Sequence, residues 1–211
     1  MTAWVCTTGA HAAAAVPFTI ESRNTISDLA SQTSAASELA LHLSVANIDR
    51  WNDREVIAAL RSAAKILAQC EIRITGAELL QITVPETHRH FDTPRSRELA
   101  RALALPKPTL YLTAGTRQIP AFDAEAIGRG NSRSRPELAD TVWIARGARD
   151  LGLVIAHELA HVLMDSGGHD NSPGNLMAEE TSPQNTQLNA AQCAQMRSTG
   201  TRNGLLRPGV N

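Results

Sequence analysis

His157, Glu158 and His161 stand in the order His-Glu-Leu-Ala-His. Residues four apart project from one face of an α-helix, so both imidazoles can reach a single metal ion. Glu158 is turned by about 100° from His157, which places its carboxylate beside the ion rather than among its ligands. From there it can take a proton from a zinc-activated water. By frequency alone the pattern arises in about 1% of shuffled chains of this composition. Its surroundings sharpen the reading. Leu153, Ile155, Leu159, Val162 and Leu163 describe an apolar, buried helix, where histidines need partners.

A catalytic zinc site takes three protein ligands and leaves one position open. Gly167-Gly168 reads as the break that ends the helix and lets the chain turn back, and His169 follows directly. The rivals are Asp165, Asp170, Glu179 and Glu180. Asp165 lies too near the helix end to curl under an ion. Glu179 and Glu180 would suit a site whose third ligand comes from a later helix, but Pro173-Gly174 and Pro183 disfavour such a helix. His169 is the preferred third ligand, with the two glutamates as the alternative.

Several elements must position these residues. A short strand is expected at Phe18-Thr19-Ile20. Leu39, Leu41, Leu43 and Val45 alternate with smaller or polar residues, the period-two signature of a half-buried strand. Asn52 or Asp53 caps a helix carrying Val56, Leu60, Ala63 and Leu67 on one face, ending near Gln69. One bent strand or two short ones follow up to Pro85, then a short helix over 96–104 and a strand over 109–113. His88-Arg89-His90 reads as a solvated loop rather than a ligand pair. Residues 114–140 form a long loop rich in Gly, Pro and Arg, which can line or gate a cleft; solvation of Arg129, Arg133 and Arg135 is the plainer account. The strand over 141–145 is expected to form the cleft edge and pair with an extended substrate. Asp150 is expected to cap the helix that carries His157. Asn189 and Gln192 have capping-box spacing and start a last helix, which Gly200 should end.

The composition bounds what this site can serve. The chain has 211 residues, 43% hydrophobic and 19% charged, with a formal net charge of −1. That is enough for one domain with a real core, and too neutral for a nucleic-acid binder. No apolar run is long enough for a membrane-spanning helix. Residues 1–15 resemble the end of a secretory signal, truncated at its start, or else an Ala-rich tail. Cleavage there would remove Cys6 and leave Cys70 and Cys193, an even pair that can form a disulfide in an oxidising compartment; two buried free thiols are the alternative.

The segment from Asp150 to Glu180 resembles the metzincin zinc peptidases. Their signature is His-Glu-x-x-His-x-x-Gly-x-x-His, followed by a methionine-containing turn beneath the metal. Here the turn candidate is Gly174-Asn175-Leu176-Met177, and the step from His169 to Met177 across Pro173 is similar to the matrixin branch. The order of elements over 37–199 is similar too. The family's glycine falls at Met164, and its third histidine would fall at Gly167. Two extra residues must therefore be absorbed before His169.

The resemblance implies an α+β fold: a mixed twisted sheet with an N-terminal helix, an active-site helix and a C-terminal helix. It implies Zn2+ held by His157, His161 and His169, with Glu158 as general base and Met177 packed under the ion. It also implies helices packed behind the sheet, where a Cys70–Cys193 bond would tie the last helix to the body. The expected organisation is a signal or tail (1–15), an N-terminal extension (16–36), the peptidase-like domain (37–199) and a C-terminal tail (200–211). The expected function is a secreted or periplasmic, monomeric zinc endopeptidase acting on extended protein or peptide substrates. A non-catalytic, zinc-stabilised binding module is the alternative.

Overall fold

Leu43 to Asn47 are all buried, although only alternate residues of a strand can face one side of a sheet. Both faces of the sheet must therefore be covered. The computed structural model describes residues 18–27, 29 and 38–209; Cys6, the expected signal or tail and about half of the expected N-terminal extension lie outside them. The sheet runs β1 (Thr19–Ser27), β3 (Ile72–Thr83), β2 (Leu39–Asn47), β5 (Thr109–Thr113), β8 (Thr141–Ala145) and β7 (Ala124–Ile127). Strands β3, β2, β5 and β8 are parallel to one another, and β1 and β7 are antiparallel to their neighbours. A further small sheet pairs β4 (His90–Phe91) with β6 (Gly115–Thr116).

The strand sequences show how two faces are filled. In β5, Leu110 and Leu112 face one layer and Tyr111 the other; in β8, Val142 and Ile144 oppose Trp143 in the same way. The first layer holds α1 (Asp53–Leu67), α3 (Leu151–Met164) and α4 (Ala190–Arg202), with α3 packed between the other two. On the other face, α2 (Thr93–Leu103) brings Leu99 and Ala100 against Phe91, Tyr111 and Trp143. The Tyr111 and Trp143 rings stack at 4.0 Å. Among the described residues no helix is long and apolar enough to cross a membrane.

Several expectations are revised. The strand at 18–20 extends to Ser27, because the largely polar residues beyond Ile20 suit an exposed edge. The bent strand up to Pro85 is one element, β3, whose pairing with β2 slips between Leu41–Ile74 and His42–Gly76. The slip leaves Thr75 out of register, and its hydroxyl donates to Leu41 O at 3.2 Å. His88 is buried against Glu98 and Phe18 rather than solvated. The C-terminal residues are not a tail: α4 runs to Arg202, and β9 (Leu206–Pro208) pairs antiparallel with the first half of β2. Gly200 does not end the helix. A Cβ there would lie 2.7 Å from Leu206 and 3.2 Å from Leu163, so the glycine lets α4 approach both neighbours.

The cleft edge is also reassigned. The strand over 141–145 is interior, between β5 and β7, and cannot offer its backbone to a substrate. The edge is β7, inside the segment read as a long loop. Its inner side pairs with β8 from Ala124–Ile144 to Ile127–Thr141.

Candidate metal centre

α3 carries His157, Glu158 and His161. Every residue from Gly152 to Met164 is buried, so the helix is enclosed by the fold except where it floors the cleft. Asp150 stands at its N-terminus in a left-handed conformation and makes no side-chain cap. Its carbonyl instead accepts from Leu153 and Val154. The helix ends at Asp165, which takes the left-handed conformation (φ 49°), so the turn is made there and not at Gly167-Gly168. Asp165 N–H donates to the last-turn carbonyls, and its Oδ1 accepts from Gly130 N at 3.1 Å. A Cβ on Gly128 would lie 2.6 Å from that oxygen, so the stretch after β7 passes the helix end only because Gly128 has no side chain.

The imidazoles are fixed from behind. His157 Nδ1–H donates to Leu176 O and His161 Nδ1–H donates to Ser166 O, both at 2.7 Å. These bonds put the proton of each neutral ring on Nδ1 and leave Nε2 as a bare acceptor. The two Nε2 atoms face each other at 3.0 Å. His169 brings the third ring, with centroids 5.6 Å from His157 and 5.0 Å from His161, and the three ligand atoms lie within 4.8 Å of one another. His157 and His161 are buried; His169 is exposed. Glu179 and Glu180 line the same cleft but contribute no atom to the cluster.

Two buried lone pairs pointed at each other repel unless a cation lies between them. A proton fits poorly, since burial lowers the affinity of both rings for it and brings His161 down to about 4. A metal fits. Two nitrogens on one tetrahedral zinc ion at about 2.0–2.1 Å stand about 3.3 Å apart, close to the separation found. Three neutral imidazoles, two of them oriented by backbone carbonyls, are a donor set suited to zinc.

The turn below the rings holds them in place. Met177 is buried against α3, and Leu176, just before it, supplies the carbonyl that orients His157. Asn175 Oδ1 accepts from Met177 N at 2.8 Å, and Asp170 N donates to Met177 O at 2.8 Å. Asp170, next to His169, also accepts from Ser172, Asn175 and Asn189. It anchors the third histidine from behind rather than binding an ion. Asn189 and Gln192 form the expected capping box of α4. Cys70 and Cys193 are bonded, with Cα atoms 4.8 Å apart, so that the first turn of α4 is tied to the end of α1. The orienting carbonyls of Leu176 and Ser166 have no signature in the sequence, since any residue carries one.

A cleft of about 690 Å³ opens over the cluster, lined by β7, by α3 and by the segment after Met177. Glu158 lines it beside the histidines. Burial lifts its carboxyl to about 8, opposed by a hydrogen bond from Ala126 N–H and reinforced by Glu125. The general-base candidate is thus held by the edge strand itself.

Sheet, helices and cluster together make an α+β fold of the metzincin type. Two solved structures show the same architecture. Metalloproteinase-II from Bacteroides fragilis superposes with a TM-score of 0.55 at 16% identity, over 79% of this chain and 55% of that one. Archaemetzincin from Methanopyrus kandleri superposes with a TM-score of 0.51 at 11% identity, over 77% of this chain and 97% of that one. The chain thus spans about half the length of metalloproteinase-II. No family model and no curated protein sequence matches the chain.

Proposed function

We propose that the chain is a zinc-dependent endopeptidase, with His157, His161 and His169 as ligands and Glu158 as general base. The observation that carries this reading is the facing pair of bare Nε2 atoms, joined by His169 in a cleft that also holds a buried carboxylate. A zinc ion bound there supplies Lewis acidity, polarising a scissile carbonyl and lowering the pKa of water. Glu158 takes the proton of the attacking water and passes it to the leaving amine.

Among the described residues β7 has no partner on its outer side, so an extended peptide can pair along it and run past the cluster in both directions. That supports cleavage within a chain rather than at its end. The Cys70–Cys193 bond supports a secreted or periplasmic location, where disulfides persist. The protein is read as acting as a monomer.

Glu158→Gln tests the mechanism. The variant should bind zinc as the parent does and lose peptide hydrolysis by roughly a hundredfold or more. Undiminished hydrolysis would remove Glu158 from its role. A zinc-loaded parent that cuts no peptide would leave the site as a structural one.

A further inference from the structure

The cleft over the imidazoles carries a charge unlike that of the chain. The whole sequence balances 20 basic against 21 acidic residues. The cleft is lined by six acidic side chains, Asp123, Glu125, Glu158, Asp165, Glu179 and Glu180, against the single guanidinium of Arg149, an excess that a zinc ion at the histidines would only partly offset. Two of the six are engaged, Glu158 by Ala126 N–H and Asp165 by Gly130 N–H. The side chains of Asp123, Glu125, Glu179 and Glu180 make no ion pair or hydrogen bond with any described residue; Arg135 acts on Glu125 only from beyond hydrogen-bonding distance.

These four come from two separate segments. Asp123 and Glu125 belong to the edge strand and its approach, and Glu179 and Glu180 to the stretch after Met177. Unpaired like charges gathered in a concave wall cost stability through mutual repulsion. The same cleft holds the metal-site candidate, since His157 and His161, both more than nine-tenths buried, turn their Nε2 atoms into it, so the acidic wall lies where a substrate of the proposed peptidase would bind.

We propose that the cleft selects cationic peptides, those with lysine or arginine beside the scissile bond, and that Glu125, Glu179 and Glu180 discriminate them. The inference rests on the peptidase reading above and adds its substrate class. A lysine or arginine side chain entering the cleft meets carboxylates with free acceptor positions and forms charge-assisted hydrogen bonds. An acidic side chain there meets only repulsion, so discrimination comes from both an attraction and a penalty. Glu125 is half-buried, where solvent screens an ion pair less than at Glu179 and Glu180, and it should contribute the largest share.

The test uses two readouts on the zinc-loaded protein. In the first, a randomised peptide library is digested and the cut sites sequenced. Lysine or arginine should be enriched next to the cut bond. On matched peptides kcat/KM should exceed that of the glutamine analogue by roughly tenfold and that of the glutamate analogue by more. In the second, uncut fluorescent peptides of the same series are titrated onto the Glu158→Gln variant. The same order of affinities should appear and flatten as salt is raised. In both, Glu125→Gln combined with Glu179→Gln and Glu180→Gln should collapse the ratio between cationic and neutral peptides.

Cleavage without charge preference, or with preference for acidic residues, overturns the inference and leaves the peptidase reading standing. A protein that cuts nothing but still binds cationic peptides in a salt-sensitive, glutamate-dependent manner overturns the peptidase reading and supports the cleft's selectivity. Equal binding of all the peptides overturns the inference whatever the hydrolysis shows.

Discussion

Asn175 and Gln192 hold each other by both ends: Asn175 Nδ2 donates to Gln192 Oε1 at 3.2 Å, and Gln192 Nε2 donates to Asn175 Oδ1 at 3.0 Å. The same Gln192 closes the capping box of α4, and the same Asn175 holds Met177 N–H. The start of the last helix and the floor of the metal site are therefore one hydrogen-bonded unit. Gln192→Ala should cost about 1–2 kcal/mol, combining a lost cap with the two lost hydrogen bonds to Asn175, whose amide keeps Asp170 and Met177 as partners. Zinc affinity should fall roughly tenfold as the support behind the ligands loosens. Thermal unfolding and a competitive zinc titration read the two effects. Unchanged affinity would show that the floor holds without the helix.

The third ligand can be separated from its rivals by zinc content. His169→Ala should lose tightly bound zinc, whereas Glu179→Ala and Glu180→Ala should retain it at one equivalent. Metal analysis after dialysis decides, and tight zinc in the His169 variant would shift the assignment to a carboxylate.

The disulfide closes a span of 123 residues. Chain-entropy arguments assign such a crosslink about 5 kcal/mol, a large part of the stability of a domain this size. Cys70→Ala combined with Cys193→Ala should lower the urea midpoint accordingly, with the slope rising as the unfolded chain, freed of the crosslink, exposes more surface. Because Cys193 lies in the capped first turn of α4, zinc affinity should fall in the same variant.

Lys107 offers a pH test away from the metal. Its ammonium donates to Glu137 O, and burial brings its pKa down to about 8, partly offset by Asp140. The unfolded chain keeps that proton to about 10.4. Between these values the unfolded state binds more protons, so this residue makes stability rise with pH from about 8 to 10. Buried Tyr111 acts oppositely above pH 10, since its phenol is held protonated in the fold. Denaturant midpoints from pH 7 to 10 should therefore rise, and Lys107→Met should flatten the rise. A midpoint falling across that range in the parent would contradict the assignment.

The clustering of His157 and His161 was legible because helical spacing is local: the two share a face whatever the rest of the chain does. His169 was legible through its position just past the helix, though the cause was misread. The turn is made by Asp165 in a left-handed conformation, which aspartate tolerates but does not advertise. The edge strand was not legible at all. Ala124–Ile127 has one large apolar residue and becomes a strand through its pairing with β8 and its packing on α3. Its neighbours are glycines, arginines and prolines that signal a loop. Gly200 misled for a related reason, since a glycine that ends a helix and one that admits a neighbour look alike in sequence.

β2 meets its partners at very different times in synthesis. β3 begins 33 residues after Leu39, β5 begins 70 residues after it, and β9 begins 167 residues after it. The first half of this central strand thus has one hydrogen-bonding side open until Leu206–Pro208 arrives. Contacts so distant along the chain are slow to form, because the intervening segment must be ordered first. The sheet therefore cannot be completed until Leu206–Pro208 has been made, and the pairing of that strand governs when the sheet reaches its native form.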